Sequence, residues 1–352
     1  MQEYGGVSMT SIGFAVVGCG AIGAVHAEAI SNTEGAVLRA VSDVRPDAAS
    51  ALASRFGCDA VTDPDALFAR SDVDAVVICT PSGLHAETAQ RAAAAGKHVV
   101  CEKPLDTDLG RARATVRACR ENGVMLFPVF QRRFDPAYAA LASAVGRGAL
   151  GRIAWGSAHV ILYRDDAYYR SGSWRGTAAL DGGALMNQSI HTIDMLLGLM
   201  GRPVSVRGRC ARRREGIETE DVGVACLEFA DGALGSVEGT TAARPGICSE
   251  LAVYGSRGSV ILRNDRIFFA DVPDAPELGA MATTEVPFLE ERTAAVRPEG
   301  HMRQYRDILA ALRGEKAPSV TAEDGLLAVE TVLRIYAASR LDRTVFFDEP
   351  SI

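Results

Sequence analysis

The sequence predicts an α/β domain on a doubly wound parallel sheet at residues 12–135, followed by an α+β domain at residues 136–352 with a large, open, mostly antiparallel sheet. Two observations point there. Fully apolar runs alternate with helical stretches through the first third, as in a parallel sheet covered on both faces. After about residue 200, short strands are separated by hairpin turns instead. Residues 1–11 match neither pattern and are expected to form a flexible tail.

Ile12–Val17 is a short apolar run, and Ala21–Ser31 reads as a helix. Residues 37–42 form the next strand, and Pro46–Phe56 a helix with proline at its start. Residues 75–79 are apolar throughout and lead into an Ala-rich helix up to residue 95. Residues 97–101 are strand-like, and a helix over 107–122 stops at Gly123. Residues 124–130 make a strand weakened at its end by Pro128. In the second domain a helix is expected over 180–200. Strands at Val222–Phe229, 234–238, 251–254, 260–262 and 267–269 then form an antiparallel meander. Residues 271–300 read as irregular. Helices at 301–313 and 323–340 and a strand at 344–347 close the chain.

The first strand runs into Gly18-Cys19-Gly20-Ala21-Ile22-Gly23, which opens a helix. In that context the G-x-G-x-x-G spacing has a mechanical meaning: Gly18 for the tight turn, Gly20 for close approach of a diphosphate, Gly23 for helix–strand packing. Backbone N–H groups of Ala21 and Ile22 at the helix start suit the anion. This is the fingerprint of a Rossmann dinucleotide site. Asp43 stands about twenty residues on, where a carboxylate accepts from the adenosine ribose hydroxyls of NAD and repels a 2′-phosphate. NAD is therefore the expected cofactor. Arg45 would allow NADP if it turned inward.

Lys103, in Glu102-Lys103-Pro104, follows the strand at 97–101, at the strand ends where a nicotinamide would lie. It reads equally as a proton acceptor and as a surface lysine in a turn. Asn187, His191 and Asp194 are spaced four and three apart, which places them on one helical face. His191, flanked by Ile190 and Ile193, is either a buried histidine satisfied by Asp194 or a group exchanging a proton with a substrate hydroxyl. In the second case Asn187 would bind a sugar hydroxyl and Asp194 would orient the ring or helix. Tyr163, Tyr168, Tyr169, Trp174 and Arg175 precede this helix. Their rings suit sugar faces and Arg175 an acidic group; packing at a subunit contact is the equal alternative.

The formal net charge of −7 speaks against a nucleic-acid partner. The one basic run, Arg212-Arg213-Arg214, reads as a solvated turn. No apolar run suffices to span a bilayer, no membrane partner is expected, and no secretory leader is recognisable. The eight cysteines are scattered with no C-x-x-C pair, so no metal site is expected and reduced thiols in a cytoplasm are.

Taken together, the glycine loop, Thr80-Pro81-Ser82-Gly83-Leu84-His85, Glu102-Lys103-Pro104, Gln131-Arg132-Arg133-Phe134, and Gly182-Gly183 through Asn187, His191 and Asp194 resemble the Gfo/Idh/MocA oxidoreductases. The resemblance runs through most of the chain. It implies NAD(P)-dependent hydride transfer to or from a secondary hydroxyl of a sugar, anhydrosugar, nucleotide sugar or cyclitol. It implies that Lys103 and His191 face the reacting carbon, and that Glu102 and the Thr80–Pro81 turn lie beside the nicotinamide ribose. His85 and Gln131 would join the cofactor residues, and Arg132 the substrate residues. The Lys103–Pro104 bond is expected to be cis. Inositol-dehydrogenase-like members carry aspartate where this chain has Asn187, which shifts the expectation toward nucleotide-linked sugars or anhydrosugars. A homodimer or homotetramer through the second sheet is expected. A cofactor-bound sensor without turnover and a reductase of a non-carbohydrate are the rival readings.

Overall fold

The computed structural model describes residues 11–286 and 297–350. Residues 1–10 of the expected tail, and 287–296 of the stretch read as irregular, lie outside the described residues. The first domain runs β1 (Ile12–Val17), α1 (Ala21–Ser31), β2 (Ala36–Ser42), α2 (Pro46–Phe56), β3 (Asp59–Val61), α3 (Pro64–Phe68), β4 (Ala75–Ile78), α4 (His85–Ala94), β5 (His98–Cys101), α5 (Leu109–Glu121) and β6 (Leu126–Pro128). The six strands are parallel in the order β3-β2-β1-β4-β5-β6. The order reverses beside β1, so the glycine loop after β1 stands at the switch point where such sheets bind ligands. β3 and α3, at three and five residues, are too short to leave a periodic trace in the sequence.

The second domain begins with α6 (Pro136–Gly146), β7 (Ile153–Ile161) and α7 (Asp166–Arg170). The expected helix over 180–200 is two structures: a π-helical turn at Ala184–Ser189 and then α8 (Ile190–Met200). There follow β8 (Pro203–Ala211), β9 (Val222–Phe229), β10 (Leu234–Thr240), β11 (Cys248–Gly255), β12 (Gly258–Arg263), β13 (Arg266–Asp271), α9 (Pro276–Ala280), α10 (Glu299–Leu312), α11 (Ala322–Leu341) and β14 (Val345–Phe346).

The eight strands lie in the order β13-β12-β11-β7-β10-β9-β8-β14. The sheet is mostly antiparallel but is not one meander. β7 inserts between β11 and β10, and it runs parallel to β10. Side chains alternate in and out along β9, and α8 and α11 cover the inner face. On the outer face Trp155, Val224, Leu234, Phe269 and Phe346 are exposed.

Packing does not follow the expected division between residues 135 and 136. α10 returns to the first domain and packs on α1. Tyr305, Ile308 and Leu309 join Phe14, Val16 and Ile30 in one buried cluster. The eight cysteines are free thiols, four of them buried. No helix among the described residues is long and apolar enough to cross a membrane.

Candidate active site

One wall of the cleft grows from the carboxyl ends of the parallel strands. Gly18 turns the chain at φ +101°, and a Cβ there would lie 2.5 Å from the Cys79 carbonyl oxygen, so only glycine fits. A Cβ on Gly23 would overlap the Gly18 carbonyl, the close packing expected of that position. At Gly20, the N-cap of α1, nothing lies within 4 Å of the Cβ direction, and no side chain caps the helix. The N–H groups of the first turn, from Ala21 and Ile22, thus border open space, a cradle suited to a diphosphate. Asp43 Oδ2 accepts from the Cys19 N–H (2.8 Å) and Oδ1 from the Arg45 N–H (2.9 Å), which ties this carboxylate to the glycine loop. The Arg45 guanidinium is solvent-exposed, with Nε 3.5 Å from Asp43.

Pro81 caps the short turn Ser82–Leu84, and Thr80 Oγ1 is buried without a hydrogen-bond partner among the described residues. His85 is buried below this turn. Its Nδ1 lies 2.6 Å from the Pro104 carbonyl and its Nε2 2.8 Å from the Thr80 carbonyl. Burial lowers its pKa, and a neutral imidazole carries one N–H, so the ring donates to one of these carbonyls and packs against the other, between the two loops. The Lys103–Pro104 bond is cis, as the resemblance implies. Glu102 turns inward: Oε1 meets His26 Nε2 at 3.0 Å, and Oε2 accepts from the Lys103 N–H at 3.0 Å.

Lys103 reaches across to the opposite wall. Its Nζ donates to the Asn187 carbonyl at 2.9 Å, within the π turn that leads into the helix of His191. Burial pushes Lys103 below its ordinary pKa, while Glu102 and Asp181 hold it up. His191 is pushed well below its ordinary value by burial first, and then by Lys103 and Arg132, so the ring is neutral at physiological pH. The ring packs edge-on against Phe130 at 5.9 Å, and Nδ1 is buried without a partner among the described residues.

The expected helical face does not survive. The π turn takes Asn187 out of register with α8. Its side-chain amide donates to Asp181, and its Oδ1 accepts from Gln188 at 2.5 Å, so within the protein it serves this wall rather than an open sugar site. Asp194 does not meet His191. It is buried in a bidentate pair with Arg133, at 2.7 Å from Nε and 2.6 Å from Nη2. The reading of His191 as a histidine satisfied by Asp194 is thereby overturned.

Arg132 is also engaged. It bonds Asp265 (2.7 Å), Ser249 (3.0 Å) and Thr192 (3.2 Å), tying the first domain to the second sheet.

The loop before the π turn is a stack of cations and rings. The guanidinium of Arg164 lies 4.8 Å and that of Arg175 4.2 Å from the Tyr168 ring centroid, and Arg175 lies 4.5 Å from that of Trp174. Tyr168 accepts from Gln188 at 2.9 Å, and Tyr169 meets Thr241 at 3.1 Å. Tyr163 stands apart, bridging to Ala242 under Arg244. The basic run is not merely solvated: Arg214 pairs with Asp166 and covers the Tyr169 ring. Gln131 Oε1, like Thr80 Oγ1, is buried without a partner among the described residues.

No motif in the sequence singles out His26, His301, Tyr305, Arg164 or Gln188. His26 lies three residues past the glycine fingerprint, and His301 and Tyr305 lie in a helix with no motif. Only the fold brings them under Glu102.

Residues 12–130 match the model of the oxidoreductase family with an NAD-binding Rossmann fold, and residues 138–261 match the GFO/IDH/MocA C-terminal domain. The chain is 33% identical to the inositol 2-dehydrogenase of Rhizobium meliloti, over 91% of this chain and 94% of that one. It is 31% identical to the myo-inositol 2-dehydrogenase of Thermotoga maritima, over 92% and 94%. The WlbA dehydrogenase of Bordetella pertussis, solved in complex with NADH and UDP-GlcNAcA, superposes with a TM-score of 0.88 at 32% identity, covering 97% of this chain and 99% of that one. Sequence and fold agree along nearly the whole length of the chain, and they make it a member of the Gfo/Idh/MocA oxidoreductases.

Proposed function

We propose that this chain is a dehydrogenase of a sugar-like secondary alcohol, with NAD(H) preferred and the reacting ring seated between Lys103 and His191. The observation that carries the reading is three buried polar atoms without partners among the described residues: Thr80 Oγ1, Gln131 Oε1 and His191 Nδ1. Native interiors rarely leave such groups unmet, and a bound cofactor and substrate supply what they lack. The nicotinamide, when bound, takes or gives the hydride. Lys103, fixed by the Asn187 carbonyl and depressed by burial, takes the hydroxyl proton in the oxidising direction. His191, neutral, accepts or donates a hydrogen bond at the same oxygen and holds the ring. Asp43 sits where the adenosine ribose hydroxyls would fall, and it favours NAD over NADP.

The substrate class we infer is a sugar bearing an acidic group, carried on a nucleotide. Arg164 and Arg175 stack on Tyr168 and outnumber the Asp181 carboxylate on this wall, which leaves a cation to meet an acidic group. WlbA, bound to UDP-GlcNAcA, supports the same class. The outer sheet face, with Trp155 stacked on Tyr254 at 4.8 Å beside exposed Leu234, supports a homodimer or homotetramer.

The test is a spectrophotometric screen of NAD⁺ and NADP⁺ against UDP-linked uronic acids, their neutral counterparts, inositols and anhydrosugars. Reduction of NAD⁺ with a UDP-linked sugar acid is expected. Turnover of inositols alone would overturn the substrate class, and tight NADH binding with no turnover on any of them would overturn the activity.

A further inference from the structure

Beneath the Lys103 loop lies a group of titratable side chains that the mechanism above does not use. His26, Glu102 and His301 are 1%, 6% and 1% exposed. They come from α1, the end of β5 and α10.

The charge state of Glu102 dictates the protons around it. Burial pushes its pKa up, but the His26 hydrogen bond, the neighbouring His301 ring and the Lys103 charge outweigh this and leave it ionised, well below the usual carboxylate range. An ionised carboxylate only accepts hydrogen bonds. His26 must therefore carry its proton on Nε2, 3.0 Å from Oε1, and its Nδ1 must accept from the Tyr305 hydroxyl at 2.8 Å. Burial keeps His26 neutral, in agreement. The result is a directed chain: Tyr305 donates to His26, His26 donates to Glu102 Oε1, and the Lys103 N–H donates to Oε2. His301 stands edge-on to His26 with ring centroids 4.8 Å apart, and its Nε2 is 3.8 Å from Oε1.

We propose that His26 and Tyr305 are positioning residues: they hold Glu102 as an anion against the Lys103 backbone, and so keep a fixed negative charge and a fixed direction beneath the Lys103 ammonium. This rests on the reading of Lys103 as the proton acceptor. The other groups acting on Lys103 are Asp181, opposing the burial effect, and Arg164, Arg175 and His191 on the cationic or neutral side. Cys79 and Cys101, whose thiols are pushed well up by burial and by Glu102, face the same carboxylate uncharged. The three ligand atoms of His26, Glu102 and His301 lie within 4.8 Å of one another, so a divalent cation is the competing occupant. The 3.0 Å contact and the full engagement of His26 favour the hydrogen-bonded chain.

The sign of the effect follows. Without the His26 donor, Glu102 takes up a proton, the anion beneath Lys103 disappears, and Lys103 releases its proton at lower pH. His26→Met removes the donor, His26→Gln keeps an N–H directed at Glu102, and Tyr305→Phe removes the first link alone. With NAD⁺ and the sugar found by the screen, His26→Met is expected to lower kcat about 10- to 100-fold, part of the acid–base contribution. NADH binding should change less than about threefold, and the acidic limb of the kcat profile should move roughly one pH unit lower. His26→Gln restores the limb, and Tyr305→Phe moves it less than His26→Met.

A second reading needs no turnover. The chain has three lysines, and Lys97 and Lys316 are held elsewhere by carbonyls and by Asp307. The pH dependence of Lys103 labelling by an amine-reactive reagent, followed by mass spectrometry in the cofactor-free protein, is therefore expected to shift the same way in His26→Met. A folded His26→Met with both pH profiles unmoved, His26→Gln as impaired as His26→Met, or one equivalent of metal retained by the purified protein would each overturn the proposal. If His26→Met does not fold, an unmoved limb and unmoved labelling in Tyr305→Phe overturn it equally. Lys103→Ala separates the two levels: turnover surviving in that variant defeats the parent reading, while its loss alongside an unmoved His26→Met defeats only this one.

Discussion

Along the cleft wall built by the parallel sheet, polar side chains are caught by backbone. Cys19 N–H holds Asp43, Lys103 N–H holds Glu102, and the Pro104 and Thr80 carbonyls hold His85. Along the opposite wall, side chains hold one another: Arg164 and Arg175 on Tyr168, Gln188 on Tyr168 and Asn187, Asn187 on Asp181. Backbone groups are present whatever the residue, so the first wall can be specified by a few short motifs. The second depends on every side chain in its stack. The difference fits the proposed function, in which one wall would grip a cofactor of fixed shape and the other would discriminate among sugars.

The largest break in this comparison should come from Lys103→Ala, which removes the side chain that reaches from one wall to the Asn187 carbonyl of the other. Loss of about 10²–10⁴ in kcat is expected with NADH still bound. Near-normal turnover, measured by steady-state kinetics beside fluorescence titration of NADH, would remove Lys103 from the chemistry.

The second wall also has a stability signature. Glu220 Oε1 accepts from the Leu185 N–H and the Tyr336 hydroxyl, both at 2.8 Å, and so anchors the π turn. Burial pushes its pKa up to about 7. A carboxyl with a raised value binds its proton more tightly folded than unfolded. Its contribution is therefore full at low pH and is lost as pH rises through the window from about 4.5 to 7. That contribution is on the order of 3 kcal/mol at most. Thermal melts should show stability falling across this window, and Glu220→Gln should flatten the fall. An unchanged slope in the variant would place the titration elsewhere.

The smallest effect sharpens the comparison most. Arg175→Met should raise KM for an acidic sugar about 10- to 100-fold, the worth of one charge-assisted hydrogen bond. NADH affinity and KM for a neutral analogue should stay level. An equal rise for both sugars would mean that Arg175 holds the loop rather than the acid.

Legibility in the sequence followed the same division. The glycine loop, Asp43 and the Glu-Lys-Pro turn were readable because each motif encodes a backbone shape, and the sheet order adds only their neighbours. The second wall misled where local geometry departs from the regular period. Spacings of four and three suggested one helical face, but the π turn at Ala184–Ser189 breaks that register and Asp194 pairs with Arg133 instead. β7 escaped notice although it is central, because its Gly156, Ser157 and Ala158 dilute the β-branched signal of a strand. α9 is a five-residue helix inside a stretch that reads as irregular. His26, His301 and Tyr305 meet only because α10 folds back on α1, a contact across more than 270 residues that no local pattern announces.

That return of α10 bears on how the molecule is made. A chain leaving the ribosome exposes the whole parallel sheet long before Ile308 and Leu309 emerge to cover Phe14 and Ile30. The nucleotide-binding half therefore waits, with an apolar flank uncovered, until strands β7–β13 of the second sheet have been synthesised. Cutting the gene after residue 135 would yield not a minimal cofactor-binding module but a fragment that exposes this flank to aggregation.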